Sequence, residues 1–185
     1  MTNKKGLHRT FICVDFPDPV IEEVARVQEV LGKWKFIGKM TELDNLHLTL
    51  KFLGEIDSEK LEKVRERLGK INFLNMNLRL GDVGLFNYMS NPRIVWIKIE
   101  GRGIFELQKK IDEALEGLFK KEERFMSHVT VARVKYVKDK KGFSDYVKRI
   151  KLKDVGFEIG KFKLNESELN KIGPFYKTVE EFSFR

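Results

Sequence analysis

The sequence predicts an α+β fold built from two similar halves, and three observations carry that reading. Amphipathic helix patterns alternate with strand patterns along the whole chain. The order strand, helix, strand occurs twice. The later strand of each half carries the tetrapeptide His-aliphatic-Thr-aliphatic, as His47-Leu48-Thr49-Leu50 and as His128-Val129-Thr130-Val131. The two histidines lie a little under half the chain apart, which suggests duplicated lobes on antiparallel sheets, related by a pseudo-two-fold axis. No low-complexity segment or linker separates the halves, so residues 1–185 are expected to form a single domain of two interleaved lobes.

The elements follow in order. Residues 8–16 read as a strand, with Phe11, Cys13 and Asp15 on one face and Ile12, Val14 and Phe16 on the other. Pro17 and Pro19 end it, and Asp18 is placed to cap the next helix with Pro19 at its first position. In that helix Val20, Ile21, Val24, Val27, Val30 and Leu31 recur at helical spacing, and Gly32 stops it. Residues 33–38 suggest a short strand. Residues 46–53 alternate, with Leu46, Leu48, Leu50 and Phe52 on one side and His47, Thr49 and Lys51 on the other; Gly54 ends the run. Ser58 is placed to cap a helix over 58–69. Strands are expected at 74–86 and, after a turn at Asn91-Pro92, at 93–100. A third helix is expected over 103–119. Strand 127–134 puts His128, Thr130 and Ala132 on one face and Val129, Val131 and Arg133 on the other. A short helix over 143–151 and strands at 155–164 and 178–184 complete the chain.

Composition narrows the class. The formal charge of +8 and pI near 9.4 favour a polyanionic partner. The single cysteine, Cys13, sits in an apolar run, where it can form neither an internal disulfide nor a cysteine-based metal site. No apolar stretch approaches the ~20 residues of a membrane span, and the first residues lack a signal-peptide hydrophobic region. A cytoplasmic protein with no membrane partner, acting as a monomer, is expected.

The repeated tetrapeptide carries the chemistry. Side chains two apart on a strand point the same way, so each copy sets an imidazole beside a hydroxyl. Two such strands facing across a pseudo-dyad would converge two imidazoles and two hydroxyls in a cleft. Histidine titrates near neutral pH, so one ring can hold a proton while the other lacks it, and threonine hydroxyls can donate to phosphate oxygens. The third histidine, His8, has no such context. A metal site is the competing reading of the pair. Two histidines without a carboxylate or cysteine companion at ligand spacing fall short of a zinc set, so no metal and no cofactor is expected.

These residues resemble the 2H phosphoesterase superfamily, in particular the archaeal–bacterial RNA 2′,3′-cyclic phosphodiesterases, historically called 2′-5′ RNA ligases. The likeness runs through RTFICVDFP (9–17), NLHLTLKFLGE (45–55), NPRIVWIKIEG (91–101), SHVTVARVK (127–135) and the tail from Leu164 to Phe184 with its Ser-x-Leu and Gly-Pro-x-Tyr patterns. Ser127 stands where members of that family often have proline. The resemblance implies a bilobal fold with helices outside and a cleft between two sheets. It implies opening of RNA 2′,3′-cyclic phosphate ends to 2′-phosphomonoesters without metal, and the reverse 2′-5′ joining in vitro. By the same resemblance His47 is the proton donor to the departing 3′ oxygen and His128 the base that activates water. Thr49, Thr130 and Arg133 hold the phosphate. Strict alternation points Arg133 away from His128, so a bulge, a strand end or a reaching side chain is needed. Phe11 and Tyr88 are candidates for stacking on bases. Two rivals remain: a module that binds or shields RNA ends without turnover, and a related enzyme acting on a small cyclic nucleotide or cyclic ADP-ribose phosphate.

Overall fold

The computed structural model describes residues 6–169 and 174–185; Gly173 of the tail motif lies outside the described residues. The chain runs β1 (Leu7–Asp15), α1 (Asp18–Gly32), a short β2 (Ile37–Met40), β3 (His47–Asp57), α2 (Ser58–Leu68) and β4 (Met76–Tyr88). It then repeats as β5 (Asn91–Glu100), α3 (Arg102–Ala114), β6 (His128–Tyr136), α4 (Lys140–Lys148), β7 (Gly156–Ile159), β8 (Lys161–Leu169) and β9 (Pro174–Ser183).

Among the described residues two antiparallel sheets form, ordered β3-β1-β8-β9 and β2-β6-β5-β4-β7. The two runs exchange strands. After α2, β4 leaves its own β1–β3 pair and joins β5; after α4 and the edge strand β7, β8 returns to join β1. Helix α1 crosses to the second sheet as well, where α4 packs beside it. Gln28 of α1 donates to the Val131 carbonyl of β6 at 3.0 Å, and the Tyr146 hydroxyl of α4 donates to Val30 at 2.6 Å. Val20, Val24, Val27 and Leu31 of α1 are fully buried, as are Ile104, Leu107, Ile111 and Leu115 on and just after α3. These apolar stripes place the helices on the outer faces of the sheets.

The structure corrects several sequence-based boundaries. Pro17, not Asp18, is the N-cap of α1, with Asp18 and Pro19 in the first turn, where a missing N–H costs nothing. Asp57, not Ser58, caps α2, its carboxylate accepting from Lys60 N at 2.8 Å. The strand expected at 33–38 starts at Ile37, where pairing with β6 begins. There Gly38 lies so close to the Arg133 carbonyl and the Phe36 ring that any Cβ would collide. The β4–β5 turn falls at Met89 and Ser90, both at positive φ, and not at Asn91-Pro92. Nothing marked that turn in the sequence, because two-residue hairpins usually signal themselves with Asn-Gly. Helix α3 ends at Ala114, five residues early, and Gly117 reverses the chain at φ 79°. Helix α4 starts three residues earlier than expected. The run at 155–164 is divided by Gly160 between β7 of one sheet and β8 of the other.

Candidate active site

The site begins with two matching strand pairs. In the first sheet Phe11 faces Phe52, Ile12 faces Lys51, Cys13 faces Thr49, Val14 faces Leu48 and Asp15 faces His47. In the second, Ile94 faces Arg133, Val95 faces Ala132, Trp96 faces Thr130, Ile97 faces Val129 and Lys98 faces His128. The two registers are the same, position for position. Each skips one residue just after the His-x-Thr triplet, Leu50 in β3 and Val131 in β6.

Those skips are β-bulges, and each inverts the alternation beyond it. Leu50 and Lys51 are both buried, and Phe52 emerges 74% exposed. Val131 and Ala132 are likewise both buried, and Arg133 emerges exposed. The bulge therefore turns Arg133 onto the side of His128 and Thr130, which strict alternation denied it. The same device overturns the expected faces of Lys51 and Phe52: Lys51 points inward and Phe52 toward the cleft. Gly54, at φ 74°, carries β3 onward instead of ending it, and a second skip at Leu53 precedes it.

Both imidazoles are anchored alike. His47 Nδ1 lies 2.8 Å from the Asn45 carbonyl, and His128 Nδ1 lies 2.8 Å from the Met126 carbonyl. A carbonyl can only accept, so each Nδ1 carries hydrogen and each Nε2 is the atom that gains or loses a proton. Phe11 and Tyr176 flank the His47 ring at 4.9 and 5.1 Å between centroids, and Phe86 stands edge-on to His128 at 5.1 Å.

His47, Thr49, His128, Thr130 and Arg133 line one cleft of about 810 Å³ between the sheets. Phe52, Phe86 and Tyr176 add aromatic surface to it, and Arg9, Lys39 and Arg124 add positive charge, with Glu42 and Glu122 as the acidic members. Phe11 is a wall residue, 3% exposed. Tyr88 does not line this cleft; it is exposed at the end of β4. Sequence reasoning missed Phe52 because only the bulge brings it in. It passed over Tyr176 as a site residue, although the tail pattern Gly-Pro-x-Tyr contained it.

The electrostatics favour neutral rings. Burial lowers the His47 imidazole below its ordinary value; the Asn45 carbonyl and Asp15 pull it up, while Arg133 and His128 push it further down. Burial likewise lowers His128, opposed by the Met126 carbonyl and reinforced by Arg133. Cys13 is buried beside Asn165, and burial pushes its thiol up, away from reactivity. His8 lies apart, held between Glu166 at 2.9 Å and Ser58 at 3.2 Å. Among the described residues no group of three or more His, Cys, Asp and Glu side chains is disposed to hold a metal, and no helix is long and apolar enough to cross a membrane.

Duplicated sheets that present one His-x-Thr strand each to a shared cleft define a two-histidine phosphoesterase. The chain belongs to the LigT-like phosphoesterase family, whose model matches residues 14–96 and 98–176. The two matched stretches begin at nearly equivalent points of β1 and β5. The RNA 2′,3′-cyclic phosphodiesterase of Methanocaldococcus jannaschii is 37% identical over 176 residues, covering 94% of this chain and 99% of that protein. The protein of the same name from Archaeoglobus fulgidus is 34% identical, with 94% and 99% covered. Among solved structures, TT0787 of Thermus thermophilus superposes with a TM-score of 0.80 at 27% identity, over 96% of this chain and 98% of that one.

Proposed function

We propose that this protein hydrolyses RNA 2′,3′-cyclic phosphodiester ends to 2′-phosphomonoesters, with His47 and His128 as acid and base and without a metal. The observation that carries the reading is the paired anchoring of the imidazoles. With both Nδ1 atoms committed to backbone carbonyls, two Nε2 atoms are left to exchange protons in one cleft with two hydroxyls and an arginine. The names of the relatives supply the substrate class, and the cationic rim suits a polyanionic strand.

In the proposed step, His128 Nε2 takes a proton from water as its oxygen bonds to phosphorus. The bond from phosphorus to the 3′ oxygen breaks, and that oxygen takes the proton of His47 Nε2. Thr49, Thr130 and Arg133 hold the non-bridging oxygens as charge builds on them. In 2′-5′ joining a 5′ hydroxyl takes the place of water and the two imidazoles keep these roles; cleaving that linkage back to the cyclic phosphate exchanges them. The division of labour rests on what lies across each strand pair. His47 sits opposite Asp15, which favours its protonated form, whereas His128 sits opposite Lys98. Residues 1–185 act in this reading as one catalytic unit, a monomer in the cytoplasm.

The test is an oligonucleotide ending in 2′,3′-cyclic phosphate, incubated with the protein and EDTA. A 2′-phosphate product is expected. No product, a 3′-phosphate, or turnover only after metal is restored would overturn the reading.

A further inference from the structure

Lys51, itself a lining residue of the cleft, takes part in a buried ion pair that the proposed reaction does not use. Lys51 and Asp112 are 4% and 7% exposed, and Lys51 Nζ donates to Asp112 Oδ1. Burial of one charge is costly unless it is paired and fully hydrogen-bonded. Here both charged groups also make further hydrogen bonds. Lys51 Nζ also donates to the Lys120 carbonyl at 2.7 Å, and Asp112 Oδ2 accepts from Gln108 Nε2 at 2.8 Å and from Glu122 N at 2.9 Å. Burial alone would raise the Asp112 carboxyl; the bonds from Lys51, Glu122 and Gln108 outweigh it and hold the group below its ordinary value.

The partners belong to three pieces of the chain. Lys51 is on β3, four residues after His47. Asp112 is on α3. Lys120 and Glu122 lie on the segment between α3 and β6, which then supplies Glu122, Arg124, Phe125 and Met126 to the cleft wall. That segment ends at the Met126 carbonyl, the group that fixes His128 Nδ1.

The pseudo-symmetry gives the pair a counterpart in the other half. Val20, Val24, Val27 and Leu31 along α1 have the spacing of Ile104, Gln108, Ile111 and Leu115 along α3. Gln28 follows Val27 as Asp112 follows Ile111. Each therefore reaches the bulge of the histidine strand against which its helix packs. Gln28 holds the Val131 carbonyl of β6 and, at 2.7 Å, the Thr41 carbonyl; Asp112 holds Lys51, the residue just past Leu50 of β3.

We propose that the Lys51–Asp112 pair is a positioning brace that locks the approach segment of His128 to the strand of His47. Lys51 and Asp112 touch no substrate in this scheme; they act through Lys120, Glu122 and the Met126 carbonyl. The inference deepens the proposed reaction and rests on it for the activity readout, but not for the histidine readout.

The test compares Asp112→Asn with the double variant Lys51→Met/Asp112→Leu, an apolar replacement that keeps volume behind the sheet. NMR titration of the three histidines is recorded without substrate, alongside thermal stability and kinetics on a cyclic-phosphate oligonucleotide. The titration of His128 is expected to move while those of His47 and His8 stay. With substrate, kcat is expected to fall about tenfold or more with KM little changed, the scale on which a small misplacement of a catalytic group is felt. A double variant as stable as the parent should still show both effects. An unmoved His128 titration in these variants would overturn the brace even if the parent has no phosphodiesterase activity. A parent that titrates as described but leaves the oligonucleotide intact would overturn the reaction and not the brace.

Discussion

The His47 half and the His128 half are built on one template and differ in what surrounds it. Register, bulge position, threonine partner and the Nδ1 anchor are shared. Beyond the bulge, β3 delivers Phe52 to the cleft and β6 delivers Arg133. Across the strand pair, His47 has an acid and His128 a lysine. The aromatic neighbours differ as well, Phe11 and Tyr176 on one side and Phe86 on the other. In the proposed reaction duplication supplies two equal proton-transfer groups, and the differences at two equivalent positions, Phe52 against Arg133 and Asp15 against Lys98, would give the pair a direction. An acid–base pair needs that inequality, since two identical imidazoles have no preferred way round.

The largest effect should come from removing either shared element. His47→Ala and His128→Ala are each expected to lose at least ~10²-fold in kcat on the cyclic phosphate, the usual scale of acid–base catalysis. The double variant should be scarcely worse than the poorer single, because the two groups act as a unit. A single variant with near-parental kcat would break the comparison, leaving one half as scaffold only.

Next in size is Arg133→Gln, the loss of the group with no counterpart in the other half. A fall in kcat/KM of about tenfold to a hundredfold is expected from losing one charged phosphate contact. The pH profile should move too. Arg133 lowers both imidazoles, so its removal raises both, and the whole kcat/KM bell shifts toward alkaline pH. A shift of one limb alone would show that Arg133 serves only the nearer histidine.

The shared template was legible in the sequence and the differences largely were not. Period-two alternation around His47 and His128 reports which side chains lie together on a strand, and that sufficed to pair each imidazole with its threonine. The bulges were invisible locally. Leu50-Lys51-Phe52 fits an unbroken alternation as well as a bulged one, and only Asp112, distant in the chain, makes a buried Lys51 tenable. Arg133 was implied by the family resemblance against the strand periodicity, and the Val131 skip reconciles the two. The helix caps were read one residue late because Pro17-Asp18 and Asp57-Ser58 each offer adjacent choices. The exchange of β4 and β8 between sheets, which brings the lobes together, has no sequence signal short of the full topology.

The smallest expected effect tests the direction of the pair most sharply. Asp15 favours the protonated form of His47 and has no such influence on His128. It also pairs with Lys163 at 2.6 Å, so Asp15→Asn removes a negative charge and leaves a less balanced positive one nearby. Both changes lower the His47 value, and Arg133 and His128, the other charged and titratable neighbours, add to that direction. If His47 is the acid, it must be protonated in the active form, and its titration sets the alkaline limb of kcat/KM; the neutral base His128 sets the acid limb. The alkaline limb should therefore move to lower pH by a fraction of a unit while the acid limb stays, narrowing the bell and lowering its peak by a few-fold at most. In the parent, both imidazoles are depressed, so the optimum should already lie below the ordinary imidazole value of about 6.5. Movement of the acid limb in Asp15→Asn, with the alkaline limb fixed, would reverse the assignment and make His47 the base. Either limb moving alone keeps the two halves unequal; a rigid shift of both would mean that Asp15 acts on the cleft as a whole and that the direction of the pair comes from Phe52 and Arg133.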